Sequence, residues 1–196
     1  MHATDNYRKH TAKSPLQRYL LNRFLLDLVR QARIISPKSI LDVGCGEGFI
    51  LERLYRANIG EKNIGIDFLE KAVEIGKKER PHLDLRVGDI YKIPFKDNSF
   101  DLVICSEVLE HLQDPKKALS ELHRVTKKYI ILSVPNEPLF RVANFIRGKN
   151  LTRLGNDIEH VQHWSGESFE RFVSEKFNVF TRKQPFPWTL LVGEKQ

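Results

Sequence analysis

Short apolar segments alternate with longer amphipathic ones along most of this chain. In the central region each apolar segment has the length of one strand, and helical spacing follows before the next one begins. Strands separated by helices are joined by crossovers, so the pattern predicts a mainly parallel sheet covered on both faces. The predicted strands of this region are 39–43, 63–67, 83–87, 100–105 and 129–134.

Apolar residues recur at helical spacing before and between these strands. The longest such segment covers 16–35 and ends ahead of Pro37, which disfavours a helical residue before it. Further helices are predicted at 47–57, 69–78, 107–112, 114–125 and 165–175.

The two ends of the chain depart from this alternation. Strands predicted at 177–181 and 188–192 are joined through two prolines, and so short a connection makes the pair antiparallel. Residues 135–164 hold prolines and basic residues and are interpreted as an insertion or lid. Residues 1–38 are interpreted as an N-terminal helical cap. The whole chain, 1–196, is expected to form a single domain with one core.

The composition narrows the class of protein. Hydrophobic residues make up 41% and charged residues 29% of the chain, which is typical of a soluble globular domain. No apolar run approaches the ~20 residues of a membrane span, and the polar N-terminus lacks the apolar stretch of a signal peptide. The two cysteines, Cys45 and Cys105, do not make a disulfide framework. We therefore expect a cytoplasmic protein.

The net charge of +7 is concentrated outside the central region. Residues 1–38 carry eight Lys or Arg against two Asp, and residues 141–153 carry four basic residues and no acid. These segments could bind an anionic partner such as RNA or a membrane surface, or they could be solvated basic faces. If residues 139–154 are helical, they form a basic amphipathic segment that either touches a membrane or packs on the body as a lid.

Three glycines follow the first strand directly. Gly44, Gly46 and Gly48 permit a tight turn and a close approach of a ligand to the backbone, at the strand end where open α/β sheets bind ligands. Dinucleotide-binding turns read Gly-x-Gly-x-x-Gly, but here Phe49 takes the third glycine position, and Glu47 would repel a pyrophosphate at the helix N-terminus. A ligand without phosphate is favoured.

Acidic residues stand near the ends of three successive strands. Asp67 ends the second, where nucleotide-binding sheets hold ribose hydroxyls. Asp89 follows the third and could accept a hydrogen bond from an adenine amino group, with Ile90 against the ring. Asp42 precedes the glycines and could orient the turn or meet a cationic amine. Alternatively, these acids cap turns and helices.

The order and spacing of these motifs carry a resemblance. The stretches are 40–48 (Ile-Leu-Asp-Val-Gly-Cys-Gly-Glu-Gly), 65–67, 88–95 and 99–112, and residues 163–165 are similar to a segment of the ubiquinone-type O-methyltransferases. The chain resembles class I S-adenosylmethionine-dependent methyltransferases of the small-molecule type. The resemblance implies an α/β, three-layer Rossmann-like fold with a seven-stranded, mainly parallel sheet in the order 3-2-1-4-5-7-6, strand 7 antiparallel. It implies S-adenosyl-L-methionine as the cofactor.

The resemblance also implies positions for this cofactor, with its methionine part along the glycine turn and its nucleoside beyond the second and third strands. Besides Asp42, the implied cofactor-binding residues are Ser106, Gly44, Cys45, Gly46, Asp67, Phe68, Asp89 and Ile90. A residue of the N-terminal helical region would reach the cofactor carboxylate, and the candidates are Tyr7, Arg18 and Arg23.

Acid–base residues follow the fourth strand. Glu107, Glu110 and His111 are spaced i, i+3 and i+4 on the predicted helix, so they share a face that borders the acceptor. His111 is the first candidate for a general base, because the pKa of histidine lies near the working pH. The three side chains could instead bind a divalent ion, or serve only structural roles; no metal site is assigned. His160 would approach from the opposite side, with His163 as a lid contact.

The sequence therefore favours methyl transfer to a small-molecule acceptor, at oxygen. An RNA acceptor such as tRNA, or a cofactor-binding regulator without catalysis, are the alternatives. The chain departs from the resembling proteins in one region. It lacks the Lys-Pro-Gly-Gly turn that is common before strand five, and residues 134–138 (Val-Pro-Asn-Glu-Pro) form an unusual loop on the substrate side.

Overall fold

Seven strands form one sheet in this computed structural model, which describes residues 4–11, 14–137 and 161–196. The strands are β1 (Ser39–Val43), β2 (Lys62–Asp67), β3 (Asp84–Val87), β4 (Phe100–Ser106), β5 (Thr126–Pro135), β6 (Phe177–Lys183) and β7 (Trp188–Lys195). Their order is β3-β2-β1-β4-β5-β7-β6. Neighbours from β3 to β5 pair in parallel, whereas β7 is antiparallel to both β5 and β6. The predicted strand order and the antiparallel last strand are confirmed.

Helices cover both faces of the sheet. Within the described ranges they are α1 (Asp5–His10), α2 (Pro15–Ile35), α3 (Phe49–Arg56), α4 (Glu70–Glu79), α5 (Pro115–Val125) and α6 (Gly166–Val173). One apolar layer joins α2, α3 and α4 to the sheet, and the other joins α5 and α6 to its opposite face. Ile40 and Leu41 of β1 enter different layers and are both fully buried, as expected for a strand covered on both sides.

The helix predicted at 107–112 is not formed. The chain leaves β4 after Ser106, and Glu107 takes a left-handed backbone conformation with φ of 58°. A left-handed residue interrupts a right-handed helix at once, so only a single 3₁₀ turn, Leu109–His111, follows. The prediction that Glu107, Glu110 and His111 share one helical face is therefore wrong.

The junction between α5 and β5 contains no connecting loop, since α5 ends at Val125 and β5 begins at Thr126. The ammonium group of Lys195 donates hydrogen bonds to the carbonyls of His123 and Thr126, at 2.7 and 2.8 Å. Lys195 of β7 thus holds this junction by hydrogen bonds, at the place where the chain lacks the Lys-Pro-Gly-Gly turn of the resembling proteins.

The N-terminal cap consists of two helices in the described residues, although only α2 was predicted. Thr4 begins α1, because its side chain accepts a hydrogen bond from the backbone N–H of Tyr7 at 3.0 Å. Helix α1 lies at the carboxyl edge of the sheet, whereas α2 packs beside α3. In the described ranges, no helix is long and apolar enough to cross a membrane.

Candidate active site

A cleft of about 450 Å³ opens at the carboxyl edge of the sheet. The segments that follow β1 to β4 form its floor, and α1 and α2 form walls. This is the edge at which open α/β sheets bind ligands. Most of the residues implied as cofactor contacts line it, namely Gly44, Cys45, Gly46, Asp67, Phe68, Asp89, Ile90 and Ser106.

The glycine turn is held against β2 by backbone hydrogen bonds. The N–H groups of Gly44 and Cys45 both donate to the carbonyl of Ile66, at 2.8 and 3.0 Å. Gly44 has φ of 79°, and a Cβ atom there would collide with the side chain of Val108. Both the backbone angle and the close packing therefore require glycine at this position.

Asp67 connects the glycine turn to the loop after β2. Its Oδ2 accepts a hydrogen bond from the N–H of Gly46 at 2.7 Å, and its Oδ1 accepts one from the N–H of Leu69 at 2.8 Å. Burial raises the pKa of Asp67, and these two hydrogen bonds oppose that rise. Phe68 lies beside it on the cleft, and 80% of its surface is exposed.

Asp89 and Ile90 line the cleft beyond the end of β3. The Oδ1 atom of Asp89 accepts a hydrogen bond from the N–H of Tyr91 at 2.8 Å, which fixes the carboxylate at the rim. Ile90 is buried and presents apolar surface next to it. A carboxylate beside an apolar wall suits a flat heterocycle with an exocyclic amino group.

Asp42 does not line the cleft, so its predicted direct contact with a cofactor is corrected. It is 1% exposed within β1, and neither carboxylate oxygen has a hydrogen-bond partner in the part of the chain that the structure describes. Burial raises the pKa of Asp42 to about 8, and the charge of Asp67 acts in the same direction. Because strand and turn enclose it, this carboxyl does not reach a ligand in the cleft.

Glu47 also points away from the cleft. It is fully buried, and its carboxylate accepts hydrogen bonds from the hydroxyl of Thr4 and, at 2.6 Å, from the side-chain amide of Asn6. The expectation that Glu47 opens the helix is wrong, because α3 begins only at Phe49, after the left-handed Gly48. Glu47 instead holds α1 against the glycine turn through these hydrogen bonds.

Helix α1 contributes a wall of the cleft that the sequence did not predict. Lys9 places its ammonium group 3.3 Å from Oε2 of Glu107 and 5.1 Å from the ring centroid of Trp188. His10 stacks on Phe49 with ring centroids 4.2 Å apart. Burial lowers the pKa of His10 to about 3, and the charge of Lys9 adds to this shift, so the imidazole is neutral.

These residues escaped prediction because α1 is short and has no apolar periodicity. The available signal was Thr4 followed by Asp5, an N-cap pattern that many loops also show. Other lining residues that were not predicted are mainly apolar, namely Asn6, Leu21, Phe24, Leu25, Val43, Phe49, Ile50, Gly88, Tyr91, Val108 and Leu112.

Arg18 is exposed on α2 and does not line the cleft, so its predicted contact with the cofactor is corrected. The face of α2 that does line the cleft consists of Leu21, Phe24 and Leu25. The cation at this wall is Lys9, which α1 supplies.

Glu107 and His111 line the cleft, but Glu110 does not. Glu110 is 1% exposed, and burial together with the charge of Glu107 raises the pKa of its carboxyl well above the ordinary value. Its backbone carbonyl accepts hydrogen bonds from the N–H groups of Val161 and Gln162, both at 2.9 Å. Glu110 therefore fixes a loop, and the prediction that places it among the catalytic residues is corrected.

A polar chain leads from the floor of the cleft to Lys9. The hydroxyl oxygens of Ser106 and Ser133 lie 2.8 Å apart, and the hydroxyl of Ser133 donates to Oε1 of Glu107 at 3.3 Å. Among the described residues, no group of three or more His, Cys, Asp or Glu side chains is arranged to hold a metal ion.

His160 and the basic segment 141–153 lie outside the described residues. His163, which follows that region, has its Nδ1 atom 3.4 Å from Oε1 of the buried Glu137.

Comparison with known proteins agrees with this geometry. A family model described as a methyltransferase domain matches residues 41–132. The ubiquinone biosynthesis O-methyltransferase of Coxiella burnetii is 28% identical over 162 residues, which cover 69% of this chain and 68% of the relative. The demethylmenaquinone methyltransferase of Renibacterium salmoninarum is 42% identical over 93 residues, which cover 47% of this chain and 38% of the relative.

A solved structure extends the likeness to nearly the whole chain. The magnesium protoporphyrin IX methyltransferase of Synechocystis, which was solved with bound SAH, aligns over 96% of this chain and 92% of its own, with a TM-score of 0.75 and 16% identity. At that identity the likeness shows the fold. The family model, the curated relatives and the solved structure make the chain similar to S-adenosylmethionine-dependent methyltransferases with a class I fold.

The matched region is only part of several relatives. The chain spans between 36% and 48% of the length of five curated relatives, among them the demethylmenaquinone methyltransferases.

Proposed function

We propose that this chain binds S-adenosylmethionine in the cleft and transfers the methyl group to an oxygen atom of a small-molecule acceptor. The observation that carries the proposal is that the glycine turn, Asp67 and Asp89 open on the same cleft as Glu107 and His111. Methyl transfer from a sulfonium needs mainly positioning and exclusion of water. A cleft with a nucleoside end and an acid–base end supplies both.

The nucleoside lies at the end of the cleft formed by β2 and β3. Each oxygen of Asp67 accepts one backbone hydrogen bond and keeps lone-pair capacity for a ribose hydroxyl. The exposed ring of Phe68 offers a face that the adenine would cover. Asp89 accepts the adenine amino group, and Ile90 packs against the ring.

The methionine part lies along Gly44, Cys45 and Gly46, next to Ser106. Its carboxylate is bound by Lys9, which replaces Arg18 as the candidate cation. An ammonium group has three donors, so Lys9 can hold a ligand carboxylate while it keeps its contact with Glu107.

The acceptor lies beside Glu107 and His111. His111 removes the proton of the acceptor hydroxyl, and Glu107 is the neighbouring anion. The surrounding wall contains Tyr91, Val108 and Leu112, which favours an apolar or aromatic acceptor such as a phenol. The relative from Coxiella burnetii is named for O-methyl transfer, which supports oxygen as the target. A contribution of His160 remains a prediction.

We also propose that residues 1–196 act as one domain. Support comes from the N-terminal cap, since α1 is hydrogen-bonded to Glu47 and α2 lines the cleft.

Titration calorimetry with S-adenosylhomocysteine tests the proposal. Asp67→Ala removes the ribose contact and the anchor of the turn, and we expect a loss of affinity of roughly a hundredfold, as for hydrogen bonds to a charged group. Asp84→Ala is the matched control, because Asp84 is an exposed aspartate whose partner is Arg86, on β3. Thermal unfolding of both variants checks the fold. Equal affinities of Asp67→Ala and the wild type would overturn the site assignment.

A further inference from the structure

The outer face of α2 carries a row of exposed apolar side chains mixed with arginines. At about 100° per residue, Leu16, Tyr19, Arg23, Leu26, Arg30 and Ile34 fall within an arc of roughly 80°. We call these six residues the α2 stripe. They extend over about 27 Å of helix, at about 1.5 Å per residue.

The apolar members of the α2 stripe are unusually exposed for their type. Exposure is 60% for Leu16, 58% for Tyr19, 49% for Leu26 and 76% for Ile34. Single exposed apolar residues are ordinary on protein surfaces, but a contiguous row on one helix marks an interaction surface. The opposite face of α2 is buried against the core.

The charge along this face is almost all positive. Arg23 and Arg30 lie within the stripe, and the exposed Arg33 flanks it, about 20° outside its arc. Arg33 also donates a hydrogen bond to the carbonyl of Ala57 at 3.2 Å, so its side chain is directed toward α3. Asp27, which is partly buried, is the acid closest to the stripe on α2. The complementary surface must therefore be anionic and must also accept aliphatic side chains.

We propose that the α2 stripe binds the surface of an anionic phospholipid membrane, with α2 lying parallel to it. Arginine guanidinium groups bind lipid phosphates, while leucine, isoleucine and tyrosine enter the region between headgroups and acyl chains. The stripe is a convex helix face, which suits a planar surface. RNA would leave the aliphatic side chains without partners, and a second copy of this chain would bring arginines against arginines.

The position of the stripe has a consequence for the cleft. Leu21, Phe24 and Leu25 on the inner side of α2 line it. A membrane on the outer side would lie within about one helix diameter of this wall, roughly 10 Å. The surface proposal does not depend on methyl transfer, and its test needs no activity.

Flotation of the full chain with lipid vesicles tests the proposal. The vesicles contain equal parts of phosphatidylcholine and phosphatidylglycerol, and vesicles of phosphatidylcholine alone are the neutral comparison. We expect binding to the anionic vesicles that weakens as salt is added, and little binding to the neutral ones.

Two variants divide the stripe into its charged and apolar parts. Arg23→Glu with Arg30→Glu should weaken vesicle binding on the order of thirtyfold, and Leu26→Ser with Ile34→Ser about tenfold. Lys71→Glu with Lys78→Glu makes the same change of charge at exposed positions of α4 and should weaken binding far less. Thermal unfolding of each variant confirms that it is folded.

Three results would overturn the proposal. In the first, the wild type does not bind anionic vesicles. In the second, it binds neutral vesicles as well as anionic ones. In the third, the α4 control variant loses as much binding as the stripe variants do. Binding of a structured RNA without binding of vesicles would assign the surface to nucleic acid and reject the membrane.

Discussion

The side-chain amide of Asn6 donates a hydrogen bond of 2.6 Å to Glu47, which lies 41 positions later in the sequence. Thr4 donates to the other oxygen of the same carboxylate. Together they hold α1 against the glycine turn, so close that a Cβ atom on Gly46 would collide with Asn6. The helix that covers the cleft is thus attached to the turn that forms its floor.

Glu47→Ala should release α1 from the turn. Without the carboxylate, Thr4 and Asn6 lose their acceptor, and we expect S-adenosylhomocysteine to bind about tenfold more weakly, as for the loss of hydrogen bonds to a charged group. Limited trypsin digestion should also cleave faster after Arg8 and Lys9. Tyr7→Phe is the control, since it removes only the exposed hydrogen bond to Glu79. An unchanged rate of cleavage in Glu47→Ala would contradict the attachment.

Acid should loosen the same helix through His10. The pKa of His10 is lowered from 6.5 to about 3 when α1 is docked, chiefly because the ring is buried. A lowered pKa means that docking is fully favourable above pH 6.5 and weakens as the pH falls toward 3, by up to about 1.4 kcal/mol per pH unit.

The rate at which S-adenosylhomocysteine dissociates should therefore increase between pH 6.5 and pH 5, as measured by stopped flow. His10→Phe keeps an aromatic ring against Phe49 but does not titrate, so its rate should change much less over this range. The same pH dependence in both proteins would exclude His10 as its cause.

The fold was predictable because its signals are local and repeated. The strand lengths, the glycine turn and the acids at 67 and 89 each follow from neighbouring residues, and the resemblance supplied the strand order. The structure differs from the prediction where the position of a side chain depends on a residue far away in the sequence. Glu47 was expected to face a ligand, but it is turned toward Thr4 and Asn6 from an otherwise featureless segment.

The backbone conformation after β4 is a second feature that could not be predicted from the sequence. The spacing of Glu107, Glu110 and His111 is ideal for one helical face, yet Glu107 adopts φ of 58° and ends that possibility. No glycine or asparagine marks the position. In this conformation the turn packs against β5, and the N–H of Glu107 donates a hydrogen bond to the carbonyl of Ser133 at 3.0 Å.

Asp42→Asn should stabilise the ligand-free protein. The pKa of Asp42 is raised from 3.8 to about 8 by burial, so the folded state retains a proton that the unfolded chain has lost. Stability from this group is fully present below pH 3.8 and is lost as the pH rises to 8, by up to about 1.4 kcal/mol per unit. The asparagine variant lacks this loss.

Urea unfolding of both proteins at several pH values measures the difference. The advantage of Asp42→Asn should grow from pH 4 to pH 8 and then level off, since the carboxyl is ionised in both states above its folded pKa. An advantage that does not change with pH would show that Asp42 does not hold a proton in the folded protein.

Lys9→Met should weaken the binding of ligands that carry the amino-acid part. We expect S-adenosylhomocysteine affinity to fall by roughly tenfold to thirtyfold, because a charge-assisted hydrogen bond to the carboxylate is lost. Methylthioadenosine, which lacks that carboxylate, should bind equally to the variant and the wild type. Calorimetry with both ligands separates this contact from a general disturbance of α1.

Arg18→Met is the matched control for Lys9→Met, since Arg18 is an exposed cation of the same N-terminal cap that does not line the cleft. It should bind both ligands with wild-type affinity. If Arg18→Met loses affinity for S-adenosylhomocysteine and Lys9→Met does not, the carboxylate contact belongs to Arg18 and the assignment to Lys9 fails.

His111→Asn should lower the rate and Glu110→Gln should not, although the residues are neighbours. His111 lines the cleft and is the proposed base, so its loss should lower kcat about a hundredfold with little change in cofactor affinity. Glu110 is buried and does not line the cleft, so glutamine, which keeps the shape of the side chain, should leave kcat near the wild-type value. Once an acceptor is found, single-turnover rates measure both. A large loss of rate in Glu110→Gln with a normal rate in His111→Asn would reverse the two roles, because it would require the buried carboxyl to exchange its proton during the reaction.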